Sequence, residues 1–175
     1  LYALLARENT KAFILLKDGK IVLEQYFDGH TAASNWYWAS AGKSLTATLV
    51  GIAKANGSLQ LTDSSSKYLG TGWTSATPAQ EGAITVWHQL TMTSGLDDAY
   101  GDPHCTTDTC LQYLAPAGSR WAYHNGPYTL LDGVISGATG QTLNQYANQW
   151  IKQPTGMDGL FIPSGFNNVF YSTAR

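Results

Sequence analysis

The sequence contains few charged residues, and the two signs nearly cancel. Asp, Glu, Lys and Arg make up 13% of the 175 residues, with 10 basic and 12 acidic side chains and a formal net charge of −2 at pH 7. No cluster of Lys or Arg interleaves with aromatic residues, as the surface of a nucleic-acid-binding protein requires. We therefore expect no nucleic-acid partner, and the net charge gives no reason to expect another polyanion.

The sequence also lacks a long apolar run. A membrane-spanning helix needs about 20 consecutive apolar residues, and no stretch approaches that length, although 43% of the residues are hydrophobic. We predict no membrane span. The composition is that of an ordinary globular protein, which at this length can bury roughly 70% of its unfolded surface.

Cysteine and histidine are scarce as well. The two cysteines, Cys105 and Cys110, form no CxxC pattern, and the four histidines show no metal-ligand spacing. We predict no metal and no cofactor. The cysteines either close a small disulfide loop, which would indicate an oxidising compartment, or remain two free thiols.

Two apolar segments near the N-terminus predict a β-hairpin. Residues 12–16 and 21–27 flank Asp18-Gly19, which suits a tight turn with positive φ. The first segment is apolar throughout, as expected for a strand covered on both faces, and two strands alone would not be stable. We assign residues 1–35, from the end of a helix through this hairpin, to a sheet domain and residues 36–175 to a mainly helical domain.

The helical region opens with a serine and a lysine at the start of an apolar helix. Asn56-Gly57 supply a stop for this helix, and Ser40 lies in or just before its first turn. The residues that form its apolar face are Ala41, Leu45, Leu49, Ile52 and Ala53. Lys43 is three residues from Ser40 and can reach its hydroxyl. The spacing is that of a nucleophile and its base, although a capping serine beside a solvated lysine gives the same pattern.

The same spacing recurs at Ser64 and Lys67 in a different context. This copy lies in a polar stretch and soon meets Gly70 and Gly72, so no long apolar helix buries its lysine. We predict a turn or capping role for Ser64.

Further along, Thr85 can cap a short helix over residues 84–92 that ends at Ser94-Gly95. His88 lies within that helix with no acidic partner nearby in the sequence, and we interpret it as structural rather than as a general base.

Towards the C-terminus, Pro127 suits the first turn of a helix through Ile135. Thr142 can cap another helix through Ile151. Residues 154–175 have the character of a loop.

A phenol and a carboxamide are predicted to share one face downstream. If residues 121–125 are extended, Tyr123 and Asn125 project to the same side, while His124 points away.

Taken together, these motifs resemble the serine β-lactamase and penicillin-binding protein superfamily, most nearly its class C β-lactamase-like branch. The similar segments, in family order, are Ser40-x-x-Lys43, residues 84–96 with their Thr-Ser-Gly-Leu turn, Tyr123-x-Asn125, Gly156-Met157 and residues 171–175. The likeness runs over nearly the whole chain, which makes it much more specific than either short motif alone.

The resemblance implies an α+β fold, with a mainly helical domain packed on an antiparallel sheet that has flanking helices. It also implies that Ser40 is the nucleophile and that Lys43 helps to remove its proton. Tyr123 would act as acid and base toward the leaving group, and Asn125 would position Lys43 or the substrate amide. The titrations of Lys43 and Tyr123 would be coupled, so the sequence leaves open which of them holds the proton.

One family motif is missing. The family has a Lys or His followed by Thr or Ser and Gly on a strand beside the nucleophile, and nothing after Asn125 matches. The later strands and the final helix that would complete the sheet are missing too. We therefore expect these residues to be roughly the first half of a longer protein, with a second polypeptide segment completing the fold.

The resemblance implies a hydrolase that acts on β-lactams or D-alanyl peptides through a covalent acyl-enzyme. Because a nucleophile and a base do not specify the acyl group, an esterase or linear-amide hydrolase is an alternative. The missing motif leaves a non-catalytic ligand-binding or sensor domain as a third. A small-molecule amide, lactam or ester would be the substrate, and the family together with a Cys105–Cys110 disulfide would indicate a periplasmic or secreted protein.

Overall fold

A computed structural model describes residues 1–164 and 167–174 of the chain. The strands are β1 (Ala12–Lys17), β2 (Lys20–Tyr26), β3 (Trp36–Tyr37), β4 (Leu160–Ser164) and β5 (Asn167–Ser172). The α-helices are α1 (Tyr2–Arg7), α2 (Lys43–Ala55), α3 (Ser66–Leu69), α4 (Pro78–Gly82), α5 (Val86–Leu90), α6 (Asn125–Thr129), α7 (Leu131–Thr139), α8 (Leu143–Ala147) and α9 (Gln153–Thr155). Between them lie the 3₁₀ segments Ala39–Gly42 and Asp108–Cys110 and a π-helical turn, Asn148–Lys152. The architecture is α+β, as predicted.

The predicted hairpin is confirmed. Strands β1 and β2 pair antiparallel, and Asp18 and Gly19 take φ values of 50° and 73° in the turn. The prediction that β1 is covered on both faces is wrong for its outer half. Leu16 is 58% exposed and its cross-strand partner Ile21 on β2 is 48% exposed, because nothing in the described part of the chain packs over them and this sheet has only two strands there.

The end of the chain is not the loop that we predicted. Strands β4 and β5 pair antiparallel, and β5 also pairs with β3, which gives the order β3-β5-β4. Phe161 and Phe170 are opposite each other, with ring centroids 5.0 Å apart, and both are buried against the helices. Their burial explains why this segment forms strands. Residue 175, at the end of the predicted loop, lies outside the described residues, as do residues 165 and 166.

Helix α2 confirms the predicted helix and runs through the core. It packs on α7 and buries Leu49, Val50 and Ala53 in the core, and it ends at Ala55, followed by Gly57 with a φ of 76°. Ala41, predicted on the apolar face, is exposed because it lies in the preceding 3₁₀ turn. At 13 residues, α2 is short for a bilayer, and within the described residues no helix is both long and apolar enough to cross a membrane.

Side-chain caps define several of the shorter helices. Thr85 caps α5, and the Thr142 hydroxyl accepts a hydrogen bond from the Gln145 amide at the start of α8, both as predicted. His88 completes the first cap, because its Nδ1 accepts a hydrogen bond from the Thr85 amide at 3.1 Å. This contact supports the structural interpretation of His88. Helix α5 ends at Leu90, before Ser94-Gly95, because the chain turns at residue 92.

Candidate active site

Ser40 lies in a tight turn that strand β5 holds in place. The turn is the 3₁₀ segment before α2, and Ala39 takes a φ of 46°, a left-handed conformation that costs a residue with a side chain about 1–2 kcal/mol. The Trp38 amide donates to the Phe170 carbonyl at 2.8 Å, and the two rings meet edge to face. A Cβ on Gly42 would lie 3.1 Å from Phe170 Cβ. These contacts fix the direction in which Ser40 projects.

All four predicted site residues come together at this turn. Lys43 Nζ lies 3.2 Å from Ser40 Oγ, and Tyr123 Oη lies 2.6 Å from the same oxygen. Lys43 Nζ also donates to Asn125 Oδ1 at 2.7 Å. The hydroxyl of Ser40 is therefore within hydrogen-bonding distance of two groups that can take up or return a proton.

Tyr123 and Asn125 reach the site by a path that differs from the predicted strand. Residues 121–124 form no regular strand, and Asn125 begins α6. The two side chains nevertheless both reach the Ser40–Lys43 pair, while His124 turns inward and is 4% exposed. Burial is the main cause that lowers the pKa of His124, as expected for an imidazole inside the protein.

The disulfide loop supports the residue next to Asn125. Cys105 and Cys110 are bonded, which confirms the predicted small loop. The Gly126 amide donates to the Pro103 carbonyl at 3.0 Å. A Cβ on Gly126 would lie 2.2 Å from the Cys105 carbonyl oxygen, so only glycine fits there.

A second tyrosine near Lys43 was not predicted. The Lys43 Nζ atom lies 5.2 Å from the ring centroid of Tyr123 and 5.6 Å from that of Tyr128. Tyr128 Oη donates to the backbone carbonyl of Lys43 at 2.8 Å. Tyr128 is three residues after Asn125, and helical spacing from that residue is the signal that could have revealed it.

The two phenols differ in their electrostatics. Burial raises the pKa of Tyr128 to about 12, and the nearby Tyr123 adds to this effect, so Tyr128 stays protonated and acts as a hydrogen-bond donor. Burial also raises the pKa of Tyr123, but hydrogen bonds with Ser40 and Lys43 and the Lys43 charge outweigh it, and the net pKa lies below the ordinary value. Tyr123 is thus the tyrosine suited to proton transfer.

A cavity of about 200 Å³ opens beside Ser40. It is lined by Tyr37, Ala39, Ser40, Lys43, Thr46, His104, Asn125, Tyr128, Thr129, Asp132, Leu143, Asn168 and Val169. Asp132 is half-buried, and its carboxylate accepts a hydrogen bond from the Asn168 side chain. Sequence reasoning missed Asp132, although Asn125, Thr129 and Asp132 follow one another at helical spacing.

The second Ser-x-x-Lys pair has no such surroundings. Lys67 Nζ forms an exposed ion pair with Asp63 at 2.9 Å, and its side chain is 58% exposed. Ser64 Oγ is buried, and it has no hydrogen-bond partner among the residues that the structure describes. The exposed lysine agrees with the prediction that no long apolar helix buries it.

Comparison with known proteins places the chain in a family. A family model for Beta-lactamase matches residues 6–174. The chain belongs to the beta-lactamase family. The search of curated proteins gave no match for this beta-lactamase-family chain.

Solved structures share the fold at low sequence identity. A candidate 6-aminohexanoate-dimer hydrolase from Bacillus anthracis matches with a TM-score of 0.79 and 20% identity, over 100% of this chain and 54% of that one. A beta-lactamase/D-alanine carboxypeptidase from Yersinia pestis matches with a TM-score of 0.70 and 20% identity, over 88% and 56%. A D-stereospecific amidohydrolase from a Streptomyces species gives 0.64 and 20%, over 77% and 46%. The chain thus spans about half the length of these proteins.

Proposed function

We propose that this chain carries the nucleophile of a serine hydrolase that acts through a covalent acyl-enzyme. The observation that carries the proposal is the pair of short contacts to Ser40 Oγ, 2.6 Å from Tyr123 Oη and 3.2 Å from Lys43 Nζ. A serine hydroxyl is a weak nucleophile until a neighbouring base accepts its proton. The coupled Lys43–Tyr123 pair can accept it when one member of the pair is deprotonated.

In the proposed acylation step, Ser40 Oγ bonds to the substrate carbonyl carbon while its proton passes to the coupled Lys43–Tyr123 pair. The bond between that carbon and the leaving nitrogen or oxygen then breaks, and Tyr123 returns the proton to the leaving atom. A water molecule next attacks the Ser40 ester and gives its proton to the same pair. The carboxylic acid leaves, and the Ser40 hydroxyl is restored.

Asn125 has a positioning role in this proposal. Its Oδ1 holds Lys43 Nζ at 2.7 Å, which directs the amine toward Ser40. Tyr128 assists from the other side, because its hydrogen bond to the Lys43 carbonyl fixes the start of α2. Both contacts reduce the freedom of Lys43 before the substrate binds.

Two substrate classes follow. The first is β-lactams or D-alanyl peptides, supported by membership of the beta-lactamase family and by the similarity to the Yersinia beta-lactamase/D-alanine carboxypeptidase. The second is linear amides or esters with a small acyl group. The similarity to the 6-aminohexanoate-dimer hydrolase and to the D-stereospecific amidohydrolase supports this second class.

The chain offers a matched pair of variants to test the proposal. We expect Ser40→Ala to abolish hydrolysis of penicillins, D-alanyl-D-alanine peptides and short p-nitrophenyl esters, whichever of these the protein cleaves. Ser64→Ala removes the serine of the second Ser-x-x-Lys pair and should leave the rates unchanged. Equal rates for wild type and Ser40→Ala on every cleaved substrate would reject the proposal. Tight ligand binding without turnover, unchanged in Ser40→Ala, would instead indicate a non-catalytic sensor.

A second polypeptide segment that completes the fold remains part of this proposal. The exposed outer half of the β1–β2 hairpin supports it, because Leu15, Leu16, Ile21 and Val22 are each 46–58% exposed. We expect the active protein to contain further residues that cover this surface. Intact mass under denaturing conditions tests this expectation, and a sole species of 18.9 kDa with full activity would contradict it.

A periplasmic or secreted location is the final element of the proposal. It is supported by the Cys105–Cys110 disulfide, since such bonds persist mainly in oxidising compartments. Thiol titration of the native protein, with and without reductant, should detect the two thiols only after reduction. Two free thiols in protein purified in air would argue against this location.

A further inference from the structure

The cavity beside Ser40 has a defined orientation relative to the proposed chemistry. Ser40, Lys43 and Asn125 line it, but Tyr123 does not, and the Tyr123 side chain is 46% exposed. Under the proposed function Tyr123 returns a proton to the leaving group, so the leaving group departs on the Tyr123 side. The acyl group of the substrate therefore occupies the cavity.

One carboxylate lines this cavity without a cationic partner. None of the ion pairs between described residues includes Asp132. Its hydrogen bonds come from two neutral groups, the side-chain amide of Asn168 and the backbone of Gly133, while Lys43 is engaged with Ser40 and Asn125. Burial raises the pKa of Asp132 above its ordinary value. A desolvated carboxylate of this kind gains most from a cation that supplies both charge and hydrogen-bond donors.

We propose that Asp132 is a specificity-determining residue that binds an ammonium group on the acyl part of the substrate. The substrates selected in this way are aminoacyl amides or esters whose chain is short enough for the cavity. The assignment of the ammonium group to the acyl part rests on the proposed hydrolase function. Lys43 disfavours a second cation beside Ser40, so the ammonium is directed toward the carboxylate.

Binding and turnover test this proposal separately. The ligands are aminoacyl anilides with one, two or three methylenes between ammonium and carbonyl, each paired with the alkanoyl anilide in which a methyl group replaces the ammonium. Binding is measured by calorimetry on the Ser40→Ala variant of the complete gene product, so that no ligand is hydrolysed. For the chain length that fits, we expect the ammonium ligand to bind about tenfold to a hundredfold more tightly.

The preference for the ammonium ligand should disappear when Asp132→Asn is combined with Ser40→Ala, because asparagine keeps an acceptor for Asn168 but has no charge. Asp28→Asn is the matched control, since Asp28 is exposed, pairs with Lys11 and changes the net charge equally. It should leave the preference intact. Asp132→Ser provides a second test if the asparagine variant unfolds. Equal binding of the two ligands at every chain length, or a preference that survives both Asp132 variants, would overturn the proposal.

Turnover of the matched p-nitroanilides by the wild type separates this proposal from the hydrolase proposal. Hydrolysis of the neutral substrates without any preference for ammonium would overturn the role of Asp132 and leave the hydrolase standing. A binding preference in Ser40→Ala that depends on Asp132, without hydrolysis by the wild type, would support the cation site and reject the hydrolase. A fall in kcat/KM for the aminoacyl substrates alone in Asp132→Asn supports both.

Discussion

Removal of the Tyr123 hydroxyl gives the most detailed prediction. Tyr123→Phe deletes the oxygen 2.6 Å from Ser40 Oγ but keeps the ring that lies 5.2 Å from Lys43 Nζ. A positioned acid or base contributes about 10²- to 10⁴-fold to a rate. We therefore expect kcat/KM to fall by that factor, equivalent to roughly 3–5 kcal/mol of transition-state stabilisation. Stability should change by less than about 0.5 kcal/mol, because the side chain is half-exposed.

Tyr128→Phe is the matched control for this change. Tyr128 is 7% exposed, and its hydroxyl donates to the Lys43 carbonyl rather than to Ser40. We expect a loss of about 0.5–1.5 kcal/mol in unfolding free energy and only a small loss of activity. Steady-state kinetics across pH and urea unfolding check both variants. If Tyr123→Phe kept more than about a tenth of the activity, a role for Tyr123 in proton transfer would be refuted.

Two further predictions concern stability. Hydrogen bonds from Tyr68 and Lys67 lower the pKa of Asp63 to about 2, below its value of about 3.9 in an unfolded chain, so the stabilisation is full above that value and is lost as pH falls toward 2. Screening by solvent limits it to about 1–2 kcal/mol. Urea unfolding at pH 7 and pH 3 should show about half of this loss in the wild type and none of it in Asp63→Asn, because pH 3 lies midway between the two pKa values. Identical pH dependence in both proteins would contradict the prediction. Gly126→Ala should lower the free energy of unfolding by about 1–3 kcal/mol, because its methyl group would meet the Cys105 carbonyl. It should also lower activity by displacing Asn125. In the control Gly51→Ala, the substituted residue lies within α2 with open space around it, so the change should raise the free energy of unfolding by about 0.5–1 kcal/mol. Thermal unfolding that found Gly126→Ala more stable than Gly51→Ala would refute this prediction.

Short-range signals in the sequence predicted much of the fold. The Asp18-Gly19 turn, the caps at Thr85 and Thr142 and the apolar periodicity of α2 each depend on residues close in the chain, and each is confirmed. The gathering of Tyr123 and Asn125 around Ser40 was anticipated from motif order and from the shared face of the two residues. Their catalytic roles stay predictions.

The features that were missed depend on distant partners. Strand β4 contains Pro163, which is tolerated there because β4 lies at the edge of the sheet that the structure describes. Phe161 and Phe170 become core residues only because the helices pack on them. Asp132 gained its significance from Asn168 and from the cavity, and neither could be located before the fold was known.

The central claim is that Ser40 forms the acyl-enzyme, and tandem mass spectrometry after acid quenching tests it most directly. The protein as its gene encodes it would be incubated with a penicillin, with p-nitrophenyl acetate and with an aminoacyl p-nitroanilide, then digested. The account predicts one acyl group on Ser40, lost in Ser40→Ala and retained in Ser64→Ala. Hydrolysis that continues with no acyl group on Ser40, or with the label on another residue, would contradict it.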